Sequence, residues 1–100
     1  MYRGTTPTLT FQLPIDTGSI TVLSIAVAQA GQVKIEKTLP DVHLDGNVVS
    51  CTLTEAETLS LTAGRGIDAK IQLRVGVGGQ RMASQVFTVP VERILRDCAL

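Results

Sequence analysis

His43 is the only histidine of the chain, and two carboxylates, Asp41 and Asp45, flank it two residues away on either side. Alternation along a strand would put all three on one face. A structural zinc site, however, draws on cysteine and histidine ligands that this stretch lacks, so a solvated turn is expected there and no metal. Cys51 and Cys98 are far apart in sequence, and neither has a polar partner at a spacing that would activate a thiolate. No G-x-S-x-G elbow is present. Glu55 and Glu57 resemble a pair for acid–base work, yet Thr54 lies three residues before Glu57, the spacing of a capping box. Glu55 then falls in the first helical turn, where the helix dipole favours an acid. "GVGGQ" and "AGRG" are rich in glycine but lack the Gly-Lys-Thr of a phosphate loop. The residue types predict no catalytic, cofactor-binding or metal-ligating residue, and therefore no enzyme.

With no site to position, the elements themselves become informative. One hundred residues make one domain, 1–100, with one modest core. The chain is 44% hydrophobic and 18% charged, as expected of a folded domain. Nine basic and nine acidic residues cancel. That balance gives no long-range attraction to nucleic acid or anionic membranes, and no self-repulsion to oppose association. Only Tyr2, Phe11 and Phe87 are aromatic, too few for a base-stacking platform. No apolar run reaches the roughly 18 residues of a spanning helix. "MYRGTTPTLTF" does not read as a secretory leader, so synthesis in the cytoplasm and two reduced thiols are expected. Cys98 also has two residues after it, where a prenylation motif has three.

Alternation runs through most of the chain. Leu9, Phe11 and Leu13 share one face of a first strand that Pro14 ends. In "ITVLSIAVAQ" the parity switches between Val22 and Leu23, which predicts a bulge there or burial on both faces. Val33 and Ile35 are expected to face inward in the next strand, against Lys34 and Glu36 outward. "DGN" signals a hairpin, after which Val49, Cys51 and Leu53 point in. A capped helical turn should occupy about residues 54–61, with Ala56, Leu59 and Leu61 packing and Gly64 terminating it. Ile67, Ala69, Ile71, Leu73 and Val75 then alternate against Asp68, Lys70, Gln72 and Arg74 in the cleanest strand. "RMASQVFTVPV" should lie at a sheet edge or break at Pro90, and an exposed edge strand near Pro90 is expected to offer contacts by strand addition. Seven or eight strands with one helical turn predict an all-β fold, an antiparallel β-sandwich, with a closed barrel as the alternative.

Two ends combine apolar area with positive charge: "MYRGTTP" and "RILRDCAL". Tyr2, Arg3, Arg93, Ile94 and Leu95 are the candidate interaction residues, on short terminal arms that would dock on a neighbour. As arms, residues 1–6 and 92–100 would be dispensable for folding.

The order of motifs adds a resemblance. "YRGTTPTLTFQLP", "AQAGQVKIEK", "LTEAETLSL" leading into "IQLRV", and "VPVERIL" together resemble small structural proteins of tailed phages and prophages of Gram-positive bacteria. The layout is similar to the immunoglobulin-like N-terminal domain of phage baseplate upper proteins. The resemblance implies an immunoglobulin-like sandwich acting by protein–protein packing in the virion or tail. It implies other phage structural proteins as partners, a homo-oligomer or ring, and neither nucleic acid nor membrane. It carries no catalytic motif. The competing expectation is a small β-sandwich binding module for a carbohydrate or a host protein, including a host-defence inhibitor.

Overall fold

A computed structural model of the chain describes residues 1–63, 67–84 and 86–92. Among these residues eight strands form two antiparallel sheets that enclose one core. The first sheet has three strands in the order β1-β5-β4: β1 (Thr8–Gln12), β4 (His43–Asp45) and β5 (Val48–Thr52). The second has five. Its order is β3-β2-β6-β7, with β2 (Val22–Gln29), β3 (Gln32–Thr38), β6 (Ala69–Val77) and β7 (Gln80–Ala83), and β8 (Phe87–Val89) also pairs with β6. The strand order corresponds to B-E-D against C′-C-F-G of an immunoglobulin sandwich, in which strand A would lie beside B. Along the outer edge of β1 the described residues place no such strand.

The core follows the alternation. Leu23, Ile25 and Val27 of β2 meet Ala69, Ile71, Leu73 and Val75 of β6 on the inner face, all buried. Val49, Cys51 and Leu53 cover them from the other sheet, also buried. Three two-residue hairpins set the registers. Gly46-Asn47 joins β4 to β5 and Gly78-Gly79 joins β6 to β7, each with glycine at positive φ (60° in both) in the first position, the type II′ pattern. Ala30-Gly31 joins β2 to β3 with both residues at positive φ, 51° and 76°, the type I′ pattern.

The structure relocates the bulge. β2 pairs with β6 without interruption from Val22 to Ala28, and Val22 is 45% exposed. Ile20 is buried because it closes the 3-10 turn Thr17–Ser19, before the strand begins. The irregularity falls between β2 and β3, where Val27 pairs with Ile35 but Ala28 pairs with Val33. Lys34 is therefore the extra residue. Passing it turns the parity, so Ile35 is buried while Val33 stands 55% exposed on the outer face, opposite to the expectation.

The helical turn is α1 (Glu55–Leu59), and it crosses from the first sheet to the second. Its capping box is formed: the Thr54 N–H donates to Glu57 Oε1 at 2.8 Å and the Glu57 N–H to Thr54 Oγ1 at 3.1 Å. Ala56 is exposed, and the fully buried side chain of the turn is Thr58. The helix closes at Ser60; Gly64 lies outside the described residues. Ile67, at the start of the alternating run, precedes β6 and is 36% exposed. The last run lies at the edge of the second sheet and ends at Val89, before Pro90, as expected, but it is divided into β7 and β8. At the break the Ser84 N–H donates to Leu73 O at 2.8 Å and Ser84 Oγ accepts from the Leu73 N–H at 3.0 Å, holding the chain against β6.

Candidate interaction surface

Tyr2 and Arg3 are brought beside Glu92, and Arg93, Ile94 and Leu95 lie outside the described residues. Tyr2 forms a parallel bridge with Glu92. The Met1 nitrogen donates to Pro90 O at 2.7 Å, the Glu92 N–H to Met1 O at 2.8 Å, and the Arg3 N–H to Glu92 O at 3.0 Å. Tyr2 keeps its ring outward, 53% exposed, and remains available to a neighbour.

Arg3 is used within the fold. Its Nε donates to Leu61 O at 2.6 Å and its Nη2 to Leu59 O at 2.9 Å, so a planar cation closes the carbonyl end of α1, where the dipole favours positive charge. Thr58 secures the same segment. Its hydroxyl accepts from the Thr5 N–H at 3.1 Å and donates to Thr5 O at 2.8 Å. Gly4, at φ 72°, makes the bend between these anchor points. The N-terminal residues are thus tied to their own domain at two places.

A larger feature lies beside this segment, on residues that the sequence presents as ordinary strand positions rather than as contacts. The Leu53 N–H donates to Pro7 O at 2.9 Å and the Leu13 N–H to Asn47 O at 2.7 Å. With the register Thr8↔Thr52 to Gln12↔Val48, the odd-numbered residues of this stretch bond to β5. The backbone N–H and C=O groups of Thr8, Thr10 and Gln12 consequently point away from it, along an open edge. Leu9, Phe11 and Leu13 are half-buried on the inner face. Below them a groove of about 370 Å³ runs between β1 and the β8 side of the other sheet, floored by Ile71, Leu73, Phe87 and Val89. A second groove of about 270 Å³ continues it past Leu13 to Met82 and Val75. The Phe11 and Phe87 rings meet across the mouth with centroids 6.1 Å apart, and Phe87 is 40% exposed.

The other edges are guarded and this one is not. β3 carries Lys34, Glu36 and Lys37 together with its bulge; β4 and β8 have three residues each; β7 carries Arg81. Charge, bulging and shortness are the ordinary defences against edge pairing. From Gly4 to Ile15 there is no charged residue at all, the one feature of the sequence that marks this edge as unguarded.

The titratable groups serve the fold. The Cys51 thiol is buried, and desolvation pushes its pKa up, away from thiolate reactivity. His43 is exposed on β4. Among the described residues no group of three or more His, Cys, Asp or Glu could hold a metal ion. Burial would raise the Glu57 carboxyl, but hydrogen bonds from Lys37 and Thr54 outweigh it and hold the group below its ordinary value. The Lys37 Nζ to Glu57 Oε1 distance is 2.8 Å, with the two side chains 13% and 27% exposed, and the pair fastens β3 to α1. No described helix is long and apolar enough to cross a membrane. No protein-family model, curated protein or solved structure matches the chain.

Proposed function

We propose that this chain is a non-enzymatic structural protein of a tailed-phage or prophage virion, working in the tail or baseplate by packing against other phage structural proteins. The observation that supports packing is the β1 edge: an uncharged strand with outward backbone groups over an apolar groove. The phage assignment rests on the motif resemblance. On this reading the protein is made in the bacterial cytoplasm and then incorporated as an oligomer or ring component, with Tyr2 at its contact surface.

Mass spectrometry of density-purified particles from an induced lysogen tests the proposal, with copy number measured against the major capsid protein. Several copies per particle are expected. Absence from clean particles while the protein is abundant in the lysate would refute a virion role and favour a host-directed binding module.

A further inference from the structure

In an immunoglobulin strand order an A strand would lie along β1; among the described residues none does, and the groove lies where that strand would close the sandwich. We infer that β1 takes up an extended segment of another polypeptide, a β-strand at least five residues long, uncharged and apolar at alternate positions. This deepens the packing role proposed above and rests on it. Thr8, Thr10 and Gln12 offer six outward backbone groups, which an added strand satisfies whatever its side chains. The groove then reads the side chains. Those on one parity of the incoming strand descend onto Leu73, Phe87 and Val89, while the other parity continues the threonine face outward.

Charge and periodicity identify the occupant. Among the described residues no charged side chain lines either groove, so a charge inserted there would lose its hydration without gaining a partner from them. The chain's own last residues, "RILRDCAL", fail this test in both parities. Ile94, Cys98 and Leu100 share theirs with Arg96; Leu95 and Ala99 share theirs with Arg93 and Asp97. A foreign segment with clean alternation meets the requirement. An extended arm or terminus suits it better than a charged loop, because the backbone must lie flat along β1.

Amide exchange on the ¹⁵N-labelled full chain provides the test, with acetyl-Gly-Val-Thr-Val-Thr-Val-Gly-amide as the probe strand. In the free protein the amides of Thr8, Thr10 and Gln12 should exchange at least about tenfold faster than those of Leu9, Phe11 and Leu13. Saturating peptide should slow the first three by about tenfold or more, and a peptide of the same composition with broken alternation should not. Thr10→Pro should abolish the response, since its N–H faces away from β5 and the β5 ladder survives. Should that variant not fold, a peptide N-methylated at its threonine nitrogens must fail to bind the wild-type chain. No saturation up to about 1 mM, or shifts confined to another face, would overturn the inference while leaving the particle measurement intact. Protection of Thr8, Thr10 and Gln12 in the free chain would also overturn it. A dimeric mass by light scattering would then assign the edge to a second copy, and a monomeric mass to the chain's own tail.

Discussion

Arg3→Ala separates two roles for the N-terminal segment, a contact for neighbours or a brace for its own domain. The guanidinium donates to two carbonyls at the end of α1, Leu61 O at 2.6 Å and Leu59 O at 2.9 Å. A hydrogen bond from a charged donor contributes about 1.5–3 kcal/mol where it is well shielded. Arg3 is half-buried and the freed carbonyls can meet water, so the lower part of that range applies and the pair together is worth about 2–3 kcal/mol. Against a total stability of about 5–15 kcal/mol for a domain, that is a substantial fraction. Arg3→Lys should recover less than half, because an ammonium cannot reproduce the fork that spans two acceptors.

Urea unfolding followed by far-UV circular dichroism measures the global change. The fluorescence of Tyr2, the only tyrosine, reports undocking of the segment itself. Thr58→Val provides the coupling check: it leaves the Thr5 N–H and C=O without their buried partner and should cost about 1–3 kcal/mol alone. Combined with Arg3→Ala it should cost less than the two separate losses, since one docked segment serves both contacts. A change below about 0.5 kcal/mol for Arg3→Ala, the range of an ordinary surface substitution, would refute the bracing role and favour Arg3 as a contact residue for neighbours.

Gln29 is 2% exposed at the end of β2, donating to Thr62 O at 2.7 Å and Ile67 O at 3.1 Å and accepting from the Thr62 N–H at 2.7 Å. Gln29→Leu should lower stability by about 2–4 kcal/mol in the same urea assay, through the orphaned groups. Ala30 sits at φ 51° in a type I′ turn that favours Asn-Gly, so Ala30→Asn should raise stability by up to about 1 kcal/mol, or roughly 4–8 °C in Tm, by calorimetry. For Glu57 the folded pKa lies below the ordinary value of 4.5, so its stabilisation is present above that pH and is lost as pH falls through the folded value. Glu57→Gln keeps a capping-box residue but loses the Lys37 partner. It should cost about 0.5–1 kcal/mol at neutral pH and converge with wild type as the pH is lowered through the folded pKa, read from urea midpoints across the series.

Period-two alternation was enough to recover the sheets, because each strand has one buried and one solvated face and any slip would expose the whole apolar set. The β6 run and the Val49-Cys51-Leu53 face were legible for that reason. Val33 was not. Its neighbour Lys34 is read as an ordinary outward residue until the pairing with β2 shows that it is inserted, and nothing in "QVKIEK" distinguishes an inserted lysine from a paired one. Thr58 was missed for a different reason. A threonine on a short helix reads as polar and exposed, whereas here it is buried to serve backbone groups from residue 5, more than fifty residues away. Long-range polar partners leave no local trace.

The interaction surface divides along the same line. Terminal residues with mixed apolar and positive character drew attention as arms, but Arg3 is committed to α1, and the charge that marked it is used at a helix end. The segment without charge proved more informative. An edge strand that pairs only with itself or aggregates is a liability, and this chain visibly protects β3, β4, β7 and β8 from it. Leaving β1 unprotected, above a side of the sandwich that no described strand closes, makes sense where a strand arrives from outside the domain. A strand seated there would cover the edge and fill the groove, and the backbone that endangers the isolated chain would then stabilise the complex.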